Sequence, residues 1–376
     1  MKLLRLSKSV ISIRERKAVE KVLKKGFLGM GPEVNQFEKD LKGFFKREVV
    51  CFNSGTAALQ IALQASGIGA NDEVLVPSIT YVASYQAISA TGAKPISCDI
   101  DLKNMQVSLI DLKKRVTKKT KAIMPVHFAG SASQIKETYK FAKKNNLRVI
   151  EDAAHAFGTK INGRKIGSFG DITCFSFDGI KNITSGEGGC LVTSDKKVLA
   201  LAKDLRLLGI ENESDKRYTG HRSWISDVKQ QGWRYHMSDI NASIGRVQLK
   251  RFGHLSKLRK KICKLYDTKF KNHNFIKLFK RNYKEEVPHI YVVRILKLKK
   301  REYLRKLLLK KGIQTGIHYY PNYKYSKYKD SRKLFPNTEK IYKELLTLPL
   351  HPEINEKDVS YIYKTLNETI NNFTFD

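Results

Sequence analysis

The chain has 376 residues, 41% of them hydrophobic, and 71 Lys and Arg against 36 Asp and Glu give a formal net charge of +35. That is enough apolar material for the large core of a globular protein, and no run approaches the roughly 20 apolar residues that cross a bilayer. The basic start MKLLRLSKSVISIRERK lacks the apolar run and cleavage site of a signal peptide, and five cysteines without a C-x-x-C pair suit a reducing cytoplasm rather than a disulfide or zinc framework.

From about residue 48 the pattern alternates short apolar runs with helical stretches. REVVCF predicts a strand and SGTAALQIALQASGI the helix that follows it. At their junction Gly55 and Thr56 present N–H groups and a hydroxyl at a helix N-terminus, which suits a phosphate, although a plain Ser/Thr cap has the same signature. EVLVP is the next strand and YVASYQAISATGA the next helix, with Tyr81 at its start placed either to stack on a flat ring or to pack in the core. KPISCDI, KAIMPVHF, the helix SQIKETYKFAKKNN and LRVIEDA continue the alternation. This order predicts a mostly parallel sheet covered on both faces, with ligands at the carboxyl ends of its strands.

LRVIEDA brings Asp152 to such an end. A carboxylate there either caps a following helix or pairs with the pyridine nitrogen of pyridoxal phosphate (PLP) and keeps that ring protonated. DITCFSF and GGCLVTS are strand-like and flank the polar loop of SFDGIKNITSGEGG. Ser176 is either one more phosphate hydroxyl or an ordinary strand end. Lys181 lies just beyond the strand, where desolvation can free its amine to form a Schiff base with an aldehyde. Past about residue 245 longer basic helices surround one clear strand, IYVVRILKL, so the pattern divides a large unit, 1–248, from a smaller C-terminal α/β unit, 249–376. Residues 250–343 carry 29 Lys and Arg against 6 Asp and Glu. No nucleic-acid-binding motif accompanies them, so neither a nucleic-acid nor a membrane partner is expected, and no metal ligand set is visible.

Taken together these positions supply a phosphate cup, a ring stacker, a pyridine partner and a Schiff-base lysine at strand ends of one sheet. In VLKKGFLGMGPEVNQFEKDL, NSGTAALQIAL, VLVPSITYVAS, IEDAAHAFG, CFSFDGIKNITSGEGG, GWRYHMSDINASIGRVQL and TLPLHPEINEKDV the chain resembles the DegT/DnrJ family of nucleotide-sugar aminotransferases, over nearly its whole length. The resemblance implies the α/β architecture of fold-type-I PLP enzymes and a homodimer with shared active sites. It implies that Lys181 holds the cofactor, that Asp152 meets its pyridine nitrogen and that Tyr81 stacks on the ring. Gly55, Thr56 and Ser176 would bind its phosphate, and His155 would lie near its phenolic oxygen. Arg234 stands where relatives carry an Asn that reaches the neighbouring subunit's cofactor. Asp178 replaces a His or Tyr and marks either a substrate subgroup or a loop-stabilising carboxylate. His318 and Tyr319, in HYYP, fall near the sugar site or are structural. The implied reaction moves an amino group, with glutamate as donor, to a nucleotide-linked keto-sugar, a 4-keto-6-deoxyhexose in the first instance and a 3-keto sugar as the alternative. A sugar dehydratase on the same fold would carry His in place of Lys181, and a regulator would have lost part of the set.

Overall fold

The computed structural model describes residues 3–211 and 226–371. Its main sheet has seven strands in the order Glu48–Phe52, Gly189–Thr193, Ile172–Ser176, Arg148–Asp152, Thr120–Ile123, Glu73–Pro77 and Lys94–Cys98. Gly189–Thr193 runs antiparallel to both its neighbours, and the other four pairings are parallel. The sheet is therefore largely parallel, as the strand–helix alternation predicts.

Successive side chains of a strand face opposite sides of the sheet, and here both sides are dry. Val49 and Cys51 enter one core with Phe37, Phe45, Phe157 and Phe175, beneath the helices Pro32–Phe45 and Ile135–Lys144. Val50 and Phe52 enter the other with Leu59, Ile61, Leu63, Tyr85 and Ile88, beneath the helices Gly55–Ala65, Val82–Ala90 and Lys196–Leu205. Full burial of each large side chain stabilises the fold by about 1.5–3 kcal/mol, so these two layers fix the sheet on which the strand ends are displayed.

Local chemistry sets the ends of the elements. Ser12 and Glu15 form a capping box for the helix Ile13–Lys25, which stops at Gly26 in a left-handed conformation (φ 71°). Ser238 caps a 32-residue helix, Asp239–Phe270. That helix gives Ala242 to the first core and Ile262, Cys263, Tyr266 and Phe270 to a third, built on the antiparallel sheet Ile276–Leu278, Tyr291–Ile295 and Leu345–Leu348. Residues 248 and 249, where the sequence pattern changes, lie inside it. The run expected as one strand, KAIMPVHF, is shorter: Thr120–Ile123 is strand, and Pro125 follows. Pairing nevertheless continues through the backbone. Asp152 N–H donates to Pro125 O at 2.9 Å and His127 N–H to Asp152 O at 3.0 Å, which pins the strand end that carries Asp152.

Candidate active site

At the carboxyl ends of the parallel strands lies a cavity of about 400 Å³, bordered by Gly55, Thr56, Tyr81, Asp152, His155, Ser176, Asp178, Lys181, His318 and Tyr319. Its size falls within the roughly 300–1,000 Å³ typical of small-molecule sites. A larger groove of about 950 Å³, lined by Lys46, Arg47, Lys140 and Arg164 among others, sits at the amino ends of the strands, away from where such sheets bind ligands. Every residue singled out in the sequence borders the smaller cavity except Arg234. That residue is exposed and bridges to Leu207.

One side of the cavity is built by a strand, a turn and a helix. Ser54 caps the helix Gly55–Ala65: its Oγ accepts from Ala57 N–H at 3.0 Å, and its carbonyl oxygen accepts from Ala58 N–H at 3.2 Å. Ser54, not Gly55 or Thr56, is thus the cap, which leaves the N–H groups of Gly55 and Thr56 as the open donors of the first turn. The turn approaches two strands so closely that only glycine fits. A Cβ on Gly55 would lie 2.8 Å from Ser176 Cβ, and one on Gly189 would lie 2.6 Å from Gly55 N. Ser176 Oγ and the helix N-terminus therefore face one small volume, suited to an anion.

Asp152 caps no helix, because turns follow it. Its Oδ1 accepts from Ala154 N–H at 3.1 Å, and its Oδ2 accepts from Ser84 Oγ at 2.7 Å. Thr80 Oγ1 lies 3.2 Å behind Ser84 Oγ. Both carboxylate oxygens are oriented, and the group stays on the cavity wall. Tyr81 is 59% exposed and so is not part of the core; its ring centroid lies 5.7 Å from that of Tyr319. Asp178 turns its Oδ1 to Ile180 N–H at 3.1 Å, steadying the loop before Lys181 while still bordering the cavity.

Electrostatics favour a neutral amine at Lys181. Burial pulls its pKa down from the usual lysine value; Asp152 and Asp178 oppose the shift, and Arg259 adds to it. Three histidines surround the same region in neutral form. Burial, then Lys181 and His318, hold His155 well below the ordinary histidine range. His318 is lowered to about 4 by burial and Lys181, and His289 is lowered by burial, Lys181, His155, Arg259 and His318. His155 Nε2 lies 2.8 Å from Tyr319 Oη.

Sequence reasoning passed over several of these groups. Ser84 lies three residues after Tyr81, one helical turn on, so helical spacing within PSITYVAS was signal enough. Arg259 and His289 arrive from far along the chain with no local pattern to mark them. Buried Arg259 donates to His289 O at 3.1 Å and to Leu350 O at 3.3 Å, and its Nη2 reaches Ile180 O at 3.5 Å, tying the long helix to the loop of Lys181.

Comparison with known proteins gives a consistent picture. A sequence model described as the DegT/DnrJ/EryC1/StrS aminotransferase family matches residues 10–367. The spore coat polysaccharide biosynthesis protein SpsC of Bacillus subtilis is 35% identical, covering 96% of this chain and 95% of its own. GDP-perosamine synthase of Escherichia coli O157:H7 is 37% identical over 84% of each chain. Among solved structures, a Streptococcus pneumoniae protein assigned as a sugar aminotransferase, in its PMP form, superimposes with a TM-score of 0.90 at 29% identity, over 98% of both chains.

Proposed function

We propose that this chain, which belongs to the DegT/DnrJ/EryC1/StrS aminotransferase family, moves an amino group from glutamate to a nucleotide-linked 4-keto-6-deoxyhexose, using Lys181 as the amine that holds its pyridoxal phosphate. It is a PLP-dependent sugar aminotransferase; the donor, the acceptor and the residue roles are our reading. The observation that carries the reading is that Lys181, Asp152 and the donors at Gly55, Thr56 and Ser176 all open into one cavity at the strand ends.

These residues fit the cofactor. When bound, PLP supplies an aldehyde that captures amines and a protonated ring that withdraws electrons. In this assignment Gly55 N–H, Thr56 N–H and Ser176 Oγ hold the phosphate, Tyr81 covers the ring face, and Asp152 takes the charged pyridine N–H. Ser84 and Ala154 keep that carboxylate oriented. Lys181 Nζ, its pKa lowered by burial, takes the α-proton of the donor amino acid and later returns a proton to the sugar carbon. One positioned acid–base group of this kind contributes about 10²–10⁴-fold. One curated relative is named for a product linked to GDP, which supports a nucleotide-linked acceptor. The retention of lysine at 181 favours transamination over the dehydratase reading, because the amine is the proton carrier. We further propose a homodimer in which Arg234, exposed and outside its own chain's cavity, reaches the site of the other copy.

The test is a panel of UDP-, GDP- and dTDP-linked 4-keto and 3-keto sugars, each incubated with enzyme, PLP and glutamate and read by mass spectrometry. Amination of a 4-keto sugar is expected. Amination of 3-keto sugars alone overturns the keto position, and exchange among amino acids with no sugar product overturns the acceptor class. Lys181→Ala should lose the visible band of bound cofactor; if that band persists, the holding amine lies elsewhere.

A further inference from the structure

Tyr319 Oη and His155 Nε2 are 2.8 Å apart on the cavity wall, and the other edge of the imidazole sets the direction of that bond. Ala129 N–H points at His155 Nδ1 at 3.3 Å. An amide N–H can only donate, so Nδ1 is the lone-pair nitrogen and the single proton of the neutral ring sits on Nε2. Nε2–H therefore donates to the tyrosine oxygen. The amide that imposes this order is itself held in place. Ala129 has a left-handed backbone (φ 55°), uncommon for a residue with a Cβ, and its carbonyl oxygen accepts from Arg281 Nη1 at 3.0 Å.

One proton is left over. Tyr319 Oη accepts from His155, and among the described residues no acceptor takes its own O–H, which borders the cavity. Burial, helped by Asp152, Tyr81 and Asp178, keeps the phenol above its ordinary range, so it is a protonated donor at neutral pH. The same residues place it beside the candidate chemistry.

We infer that Tyr319 is a catalytic residue that delivers its proton to the keto oxygen of the acceptor, and that His155 is the positioning residue that holds it to this task. The inference rests on the reading of this cavity as the transamination site. Exchange of a keto oxygen for nitrogen forms a C=N double bond and breaks the C=O double bond without net oxidation. Two protons leave the incoming nitrogen, and two arrive on the oxygen, which departs as water. Tyr319 gives a proton to the oxygen and regains one from the nitrogen, ending each passage unchanged, while His155 Nε2–H steadies the phenolate in between. This assigns His155 differently from the resemblance, which puts it at the cofactor's phenolic oxygen: its one N–H is committed to Tyr319.

The experiment uses enzyme loaded with pyridoxamine phosphate, mixed in single turnovers with either 2-oxoglutarate or the sugar aminated in the panel. The visible aldehyde-form band reports the rate. Tyr319→Phe is expected to slow the carbonyl step by about 10²–10⁴-fold, while the band, its pH titration and the affinity for the cofactor stay near wild type. His155→Gln should retain most of the rate, because Gln can accept from Ala129 N–H and donate to Tyr319; His155→Leu should not. A Tyr319→Phe rate within about threefold of wild type, less than 1 kcal/mol in the barrier, overturns the proposal. So does slowing accompanied by a shifted band titration or loosened cofactor, which would place Tyr319 on the cofactor instead. Wild type that turns over 2-oxoglutarate but no panel sugar refutes the acceptor assignment, and the 2-oxoglutarate rates still decide the role of Tyr319.

Discussion

Asp152 receives one hydrogen bond on each oxygen, from Ser84 at 2.7 Å and from Ala154 N–H at 3.1 Å. Ser84 thus fixes the direction in which the carboxylate faces the cavity. Ser84→Ala leaves that oxygen with one partner fewer, at a cost of about 1–2 kcal/mol in the buried site, or roughly tenfold in turnover. Ser84→Thr keeps the hydroxyl and should restore the turnover. A Ser84→Ala turnover within about twofold of wild type removes the assignment. At this scale legibility depended on sequence distance. Ser84 was within reach because a helical turn separates it from Tyr81. His289 and Arg259 were not, because they come against His155 and the loop of Lys181 only after the long helix and the second sheet have folded back on the first, and no local period encodes that return.

The strand–turn–helix unit around Gly55 shows the same contrast between local and tertiary signals. Its strand and helix were visible because continuous apolar runs mark strands buried on both faces, and the Ser54 cap marks the helix start. The long helix was harder to see. The sequence changes character near 248 because the helix exchanges one core for another there, not because the backbone breaks. Gly55 carries two opposing effects within one element. Alanine is preferred over glycine in helices by about 1 kcal/mol, yet its Cβ would press on Ser176. Ser176 sits in a strand flanked on both sides by others and cannot yield cheaply, so the helix N-terminus must shift instead. Gly55→Ala should therefore leave the melting temperature of the cofactor-free protein within a few degrees of wild type and raise the dissociation constant for PLP at least about tenfold. Absorbance titration and thermal unfolding separate the two. Unchanged affinity would mean that the phosphate is held elsewhere.

At the scale of the whole molecule, the cavity already draws on distant parts of one chain: the main sheet supplies Asp152 and Ser176, and the C-terminal half supplies His318 and Tyr319. Arg234 is the expected site residue that this closure leaves outside. A net charge of +35 opposes the approach of a second copy, so a dimer needs an interface and site groups that reward pairing. If each site is completed by Arg234 of the other copy, inactive variants must complement. Lys181→Ala and Arg234→Ala, each depleted in activity alone, form mixed dimers on co-refolding or co-expression. In a mixed dimer one site carries both lesions and the other carries none, so random pairing restores about a quarter of wild-type activity. The level should track the fraction of mixed dimers isolated with two different affinity tags. If tagged heterodimers form and remain as inactive as the parents, Arg234 serves its own chain, and the shared-site proposal fails even though the dimer stands.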